Sequence, residues 1–132
     1  MNRSRYNDDV ELDANYYLFR ANVDRSIKGR RGQAFLRELA AEMDAMPERV
    51  LIEGELIDAE GNCCAIGVVC KARGLDVTKV DDHEPDEVGA LVGISRQMAA
   101  EIAYMNDEEW SHSQTLEQRW TRMRKWVAEQ LK

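Results

Sequence analysis

Over residues 7–23, Leu12, Tyr16, Phe19 and Val23 recur at steps of four, three and four, one face of a helix, and the acidic residues gather at its start, where the helix dipole favours them. The following SIKGRRGQ, where Gly29 and Gly32 interrupt Lys28, Arg30 and Arg31, predicts a basic loop over residues 26–30. In RGQAFLRELAAEMDAM the residues Phe35, Leu36, Leu39, Met43 and Met46 form a second helical stripe, and Pro47 ends it.

The period then changes. Val50, Ile52, Gly54 and Leu56 alternate with mostly charged neighbours across residues 49–57, as in a half-buried strand, and the DAEGN at 58–62 has turn chemistry. Glu53 with Leu56 and Ile57 also fits a helical turn, so strand and helix both stand open there. Next comes GNCCAIGVVC, which holds every cysteine of the chain: Cys63, Cys64 and Cys70. Asn62 suits an N-cap, Cys63 to Arg73 fit three helical turns, and Gly74 supplies a left-handed residue to close them. A helix apolar on nearly every side belongs inside a domain, with Gly67 admitting a neighbouring helix.

Residues 85–104, PDEVGALVGISRQMAAEIAY, set Val88, Val92, Ile94, Ala99 and Ile102 at the apolar positions of a helix-turn-helix, with Gly89 at the close contact and Gly93 in the turn. TLEQRWTRMRKWVAEQLK opens with the capping box Thr115-x-x-Gln118 and aligns Leu116, Trp120, Met123, Val127 and Leu131. Trp126 falls at the edge of that stripe, and Arg119, Arg122, Arg124 and Lys125 lie mostly off it, placed to pair with the domain's own acidic groups. The fold class expected is mainly α: a compact bundle of about five helices, with a short extended or β-hairpin element before a buried central helix.

A chain of 132 residues with 44% apolar content suits one core, so residues 1–132 are expected to form a single domain. The N-terminal residues lack the apolar run of a secretory signal, and no stretch approaches the roughly 18 apolar residues of a membrane span. A cytoplasmic protein with no membrane partner is the expectation. Two adjacent cysteines and one more make a disulfide framework improbable on spacing alone.

Charge changes the picture more than composition does. The acidic segment, residues 76–110, holds ten carboxylates against Lys79 and Arg96, a net charge of −8 within a chain of net −7. Such a segment repels phosphate backbones and attracts basic proteins. Asp81, Asp82, Glu84, Asp86, Glu87, Asp107, Glu108 and Glu109 are the candidate partner-binding residues, with Tyr104 or Trp110 as an apolar anchor. The bland reading is a solvated acidic face. As an alternative, residues 85–104 act as a DNA-binding helix-turn-helix presenting Ser95, Arg96 and Gln97 to base edges, against the surrounding negative charge.

Other chemistry is weakly indicated. Structural zinc needs four ligands in paired spacings, and adjacent cysteines point apart on a helix, so no metal or cofactor is expected. A thiolate at Cys63 or Cys64 near a helix N-terminus, with His83 or His112 as base, is a possible nucleophile, but packing explains the cysteines more simply, and no catalytic residue is assigned. KGRRG is either an anion cradle at the start of the second helix or a solvated linker.

The order GRRGQAFLRELAAEMDAMPE, LIEGELIDAEGNCCAIGVVCKARG, ISRQMAAEIAYMNDEE and TLEQRWTRMRKWVAEQ resembles a group of small proteins encoded by phages and prophages of Gram-negative bacteria. More distantly, Gly61, Cys64, Ala65 and Gly67 in a G-x-x-C-A-x-G element, followed by Asn106-Asp107 and a closing helix, are similar to a domain family of unknown function in phages and actinobacteria. Val68 departs from the small alanine expected there. Neither group carries assigned catalytic residues, so no site transfers. The resemblance implies a phage accessory protein acting in the bacterial cytoplasm. Together with the charge it suggests a non-enzymatic protein that binds a basic host or defence-system protein, as an anti-defence inhibitor would.

Overall fold

A computed structural model describes residues 3–4, 14–107 and 114–132. Among these lie six α-helices rather than about five: α1 (Ala14–Lys28), α2 (Arg30–Asp44), α3 (Ala65–Arg73), α4 (Pro85–Val92), α5 (Arg96–Asp107) and α6 (Leu116–Gln130), with a single 3-10 turn at Val77–Lys79. None of the described helices is long and apolar enough to cross a membrane.

The basic loop expected at residues 26–30 does not form. Helix α1 continues through Lys28, and Gly29 alone separates it from α2. The corner closes this tightly because a Cβ on Gly32 would stand 1.9 Å from the Ser26 carbonyl oxygen, so only glycine lets the first turn of α2 meet the end of α1. Ile27, counted as loop from its basic neighbours, is buried. Gln33 reinforces the corner, donating through Nε2 to the carbonyls of Ile27 at 2.9 Å and Gln130 at 3.0 Å. The end of α6 is thereby tied to the α1–α2 turn.

Helices α2 and α5 each pack against α1, α3 and α6, and α4 packs on α5. The stripes read from periodicity form the core: Phe35, Leu36, Leu39 and Met43 from α2, Val88 and Val92 from α4, Met98, Ala99 and Ile102 from α5, and Trp120, Met123 and Val127 from α6 are all buried in one cluster. Burial of a large aliphatic side chain contributes about 1.5–3 kcal/mol, so these stripes supply most of the drive to fold. Trp126 is buried too, whereas Leu116 is exposed.

Residues 49–57 are neither strand nor helix. They bend over residues 53–56, with Gly54 left-handed at φ 86°, and among the described residues the only β pairing is an isolated antiparallel bridge between Ile57 and Cys63. Ile52 N donates to Cys63 O at 3.0 Å and Cys64 N to Leu56 O at 3.0 Å. Asp58 shapes the turn, its Oδ1 accepting from Asn62 N at 2.8 Å and Glu60 N at 3.0 Å. These hydrogen bonds across the turn do not extend into a ladder, because Ile52 O accepts from Asn106, Leu51 O accepts from Arg119 and Leu56 N donates to Asp82.

The cysteine-rich helix starts later than its sequence suggests. Cys64, not Asn62, is the N-cap of α3, and the side chain that accepts from the first turn comes from far along the chain: Asn106 Oδ1 takes the Ala65 N–H at 3.0 Å. Gly74 closes α3 in the left-handed conformation, at φ 70°. The close approach at Gly67 is made by the Leu56 carbonyl oxygen, 1.9 Å from where a Cβ would lie, and not by a helix.

Candidate functional site

All three thiols are free and buried. Burial pushes the Cys63 thiol above its ordinary range and Cys70 up to about 12, because a thiolate in an apolar core loses its hydration. His83 is exposed, and His112 lies outside the described residues. No group of three or more His, Cys, Asp and Glu side chains among the described residues is arranged to hold a metal ion.

Cys64 nevertheless has polar company. Arg3, itself buried, donates through Nε and Nη2 to Asp107 Oδ2 and Oδ1, both at 2.7 Å, and through Nη1 to Cys64 Sγ at 3.4 Å. Burial works against the charge on Arg3, but the Cys64 sulfur and the Asp107 carboxylate outweigh it and hold the guanidinium protonated. Asp107 Oδ1 also accepts from Asn106 Nδ2 at 2.8 Å and Gly54 N at 3.2 Å. Arg119, off the stripe of α6 in the sequence, is 2% exposed, its Nε donating to Asn106 O at 3.0 Å and its Nη2 lying 3.5 Å from Glu53. Arg122 joins it, donating to the carbonyls of Met105 and Asn106.

The candidate partner-binding residues therefore divide. Asp107 is buried and committed to Arg3, Asn106 and Gly54, so it offers no free carboxylate to a partner. Tyr104 is half-buried. Glu108, Glu109 and Trp110 lie outside the described residues. Asp86 pairs with Arg96 at 3.2 Å on the exposed side of α4 and α5. Glu84, half-buried, is the N-cap of α4, and exposed Glu87 accepts from Asp81 N at 3.1 Å.

Asp81 and Asp82 belong to a distinct feature, an open groove of about 640 Å³ between residues 53–57 and 77–83. Glu53, Glu55, Asp81 and Asp82 line it, with His83, and the half-buried Ile57, Val77 and Val80 give it an apolar floor. Asp82 joins the walls, its Oδ2 accepting the Leu56 N–H at 3.0 Å, while Asp81 Oδ1 accepts from His83 N at 2.9 Å. Glu53 and Glu55 were missed as partners of this site because they fall outside the acidic segment at residues 76–110. Their signal is the alternation over 49–57, which puts Glu53 and Glu55 on the side opposite Leu56.

Helices α4 and α5 do form the hairpin read from residues 85–104, with Gly93 left-handed at φ 83° and a Cβ on Gly89 falling 2.8 Å from Ile94 O. As a reading head it is poorly exposed. Helix α5 is in contact with α1, α3, α4 and α6. Ser95 is taken up by Ser26 Oγ at 2.8 Å and Met98 N at 3.0 Å, Gln97 is half-buried, and buried Glu101 is paired with Arg20 at 2.8 Å.

No family model matches the chain, and neither a curated protein nor a solved structure matches it.

Proposed function

We propose that this protein works by binding, without catalysis, and that the groove between residues 53–57 and 77–83 receives a basic segment of another protein. The observation that carries the reading is the pairing of four carboxylates with an apolar floor in one groove. A lysine or arginine side chain suits it, laying its aliphatic stem on Ile57, Val77 and Val80 while the cationic head reaches the rim. Under this reading the protein is a phage or prophage accessory that acts in the bacterial cytoplasm by covering a basic surface of a host or defence-system protein. The burial of all three thiols supports binding over nucleophilic catalysis. The coverage of α5 counts against the helix-turn-helix alternative, which a gel-shift assay with Arg96→Ala and Gln97→Ala addresses directly.

The test is affinity capture from lysate of the infected host followed by mass spectrometry, comparing the wild type with Glu55→Gln/Asp81→Asn. Asn at residue 81 keeps an acceptor for His83 N. The reading requires a partner whose retention falls steeply with salt and with this double substitution, while Asp24→Asn/Glu129→Gln, at exposed residues elsewhere, retains it. A partner held equally by all three proteins overturns it.

A further inference from the structure

Cys64 and Asp107 sit at opposite ends of two helices, the N-cap of α3 and the last residue of α5, yet one guanidinium satisfies both. Arg3 comes from outside the six helices, 61 residues from Cys64 and 104 from Asp107. Its three contacts use three of the fork's five N–H directions: two toward the carboxylate oxygens and one toward sulfur. An ammonium cannot reproduce this, because it is a point charge without a planar fork. The receiving carboxylate is already aimed, since Asn106 Nδ2 and Gly54 N both hold Oδ1.

We propose that Asp107 and Cys64 form a guanidinium-binding site that the chain fills with its own Arg3, and that filling it shuts the Cys64 thiol off from solvent. With Arg3 in place Cys64 is 1% exposed. With the guanidinium gone, Asp107 Oδ2 has no donor among the described residues and Oδ1 keeps two, so a buried carboxylate is left undercompensated. Water entering to hydrate that oxygen arrives beside the sulfur that Arg3 had covered. The sulfur then meets solvent at the N-cap of α3. Cys70 lies deeper, at 0% exposure, and is unaffected. The site adjoins the acidic groove through Gly54, and the inference does not depend on what the groove binds.

Iodoacetamide labelling of the full chain at neutral pH, with fragmentation of the labelled peptide to separate Cys64 from Cys63, tests this. In Arg3→Ala the alkylation of Cys64 should rise several-fold over wild type, toward the rate of the unfolded chain, as a local opening exposes the sulfur. Cys70 should remain slow. Methylguanidinium, well below any unfolding concentration, should restore protection of Cys64, and sodium chloride of equal ionic strength should not. A Cys64 rate in Arg3→Ala equal to that of wild type overturns the proposal, as does protection by sodium chloride as good as that by methylguanidinium. Where Arg3→Ala does not fold, Arg3→Lys carries the test: faster labelling of Cys64 than in wild type, slowed by methylguanidinium, supports the site, and a wild-type rate overturns it.

Discussion

Asn106 on α5 caps the helix that begins at Ala65: its Oδ1 accepts the Ala65 N–H at 3.0 Å while its Nδ2 donates to Ile52 O at 2.9 Å. One side chain, 1% exposed, thus fixes the start of α3 and the path of the chain at Ile52 together. Asn106→Ala leaves a donor and an acceptor buried without partners, at about 1–3 kcal/mol each, so a loss of roughly 2–6 kcal/mol is expected in urea unfolding. Asn106→Asp is expected to be at least as damaging, because it sets a second carboxylate against Asp107 and removes the donor to Ile52.

Two glycines separate shape from strain. Gly67→Ala drives a Cβ to within 1.9 Å of a backbone oxygen, which no rotamer change relieves, and it should cost more than about 3 kcal/mol or prevent folding. Gly54 has φ 86° with open space around its Cβ position, so Gly54→Ala meets only the left-handed backbone penalty of about 1 kcal/mol. Thermal melts of the two variants should differ accordingly.

Acid should weaken the seams around α2. Hydrogen bonds from Arg73 hold Glu38 below the usual carboxylate range, and those from Arg124 do the same for Asp44, joining α2 to α3 and to α6. Because both folded-state values are depressed, their contribution is fully present above the unfolded carboxylate pKa of about 4 and is lost as the pH falls through the folded values. These pairs are partly exposed, so each contributes at most about 1 kcal/mol. Glu38→Gln/Asp44→Asn should lower stability at neutral pH and flatten its decline below about pH 4, as read by urea midpoints across a pH series.

The thiols of the wild-type protein should react in a set order. Cys63 borders a groove of about 410 Å³ near the end of α2, whereas Cys70 is fully buried with its thiol pushed up to about 12. Labelling of Cys63 should therefore precede that of Cys70, and Cys70 should react only as fast as the protein unfolds. Rapid native reaction at Cys70 contradicts the packing described above.

The helical stripes were legible because a 3.6-residue period needs only neighbours on the same helix to be read, as with Leu36, Leu39 and Met43 or Trp120, Met123 and Val127. Thr115 and Gln118 were legible for the same reason, and both hydrogen bonds of the capping box form, at 2.8 and 3.1 Å. The corner at Gly29 was not, since a run of basic residues around two glycines has the composition of a loop, and the contact that excludes one involves the Ser26 backbone. Asn62 has the local pattern of a cap for α3, but the side chain that serves the helix, Asn106, lies 41 residues from Ala65. Arg3 and Arg119 carry no local mark of burial, as an arginine is read as surface until its acceptors are placed around it. Of the acidic groove, only Asp81 and Asp82 were anticipated. A charge count along the chain cannot bring residues 53–57 beside residues 77–83.

The reach of Arg119 bears on the order in which the chain assembles. Its Nε and Nη1 meet Asn106 O and Leu51 O, carbonyls contributed by two other parts of the molecule, so both bonds form only once those parts have met. These Arg119 bonds then belong to the late side of the folding barrier: substitutions of Arg119 should speed unfolding while leaving the folding rate nearly untouched.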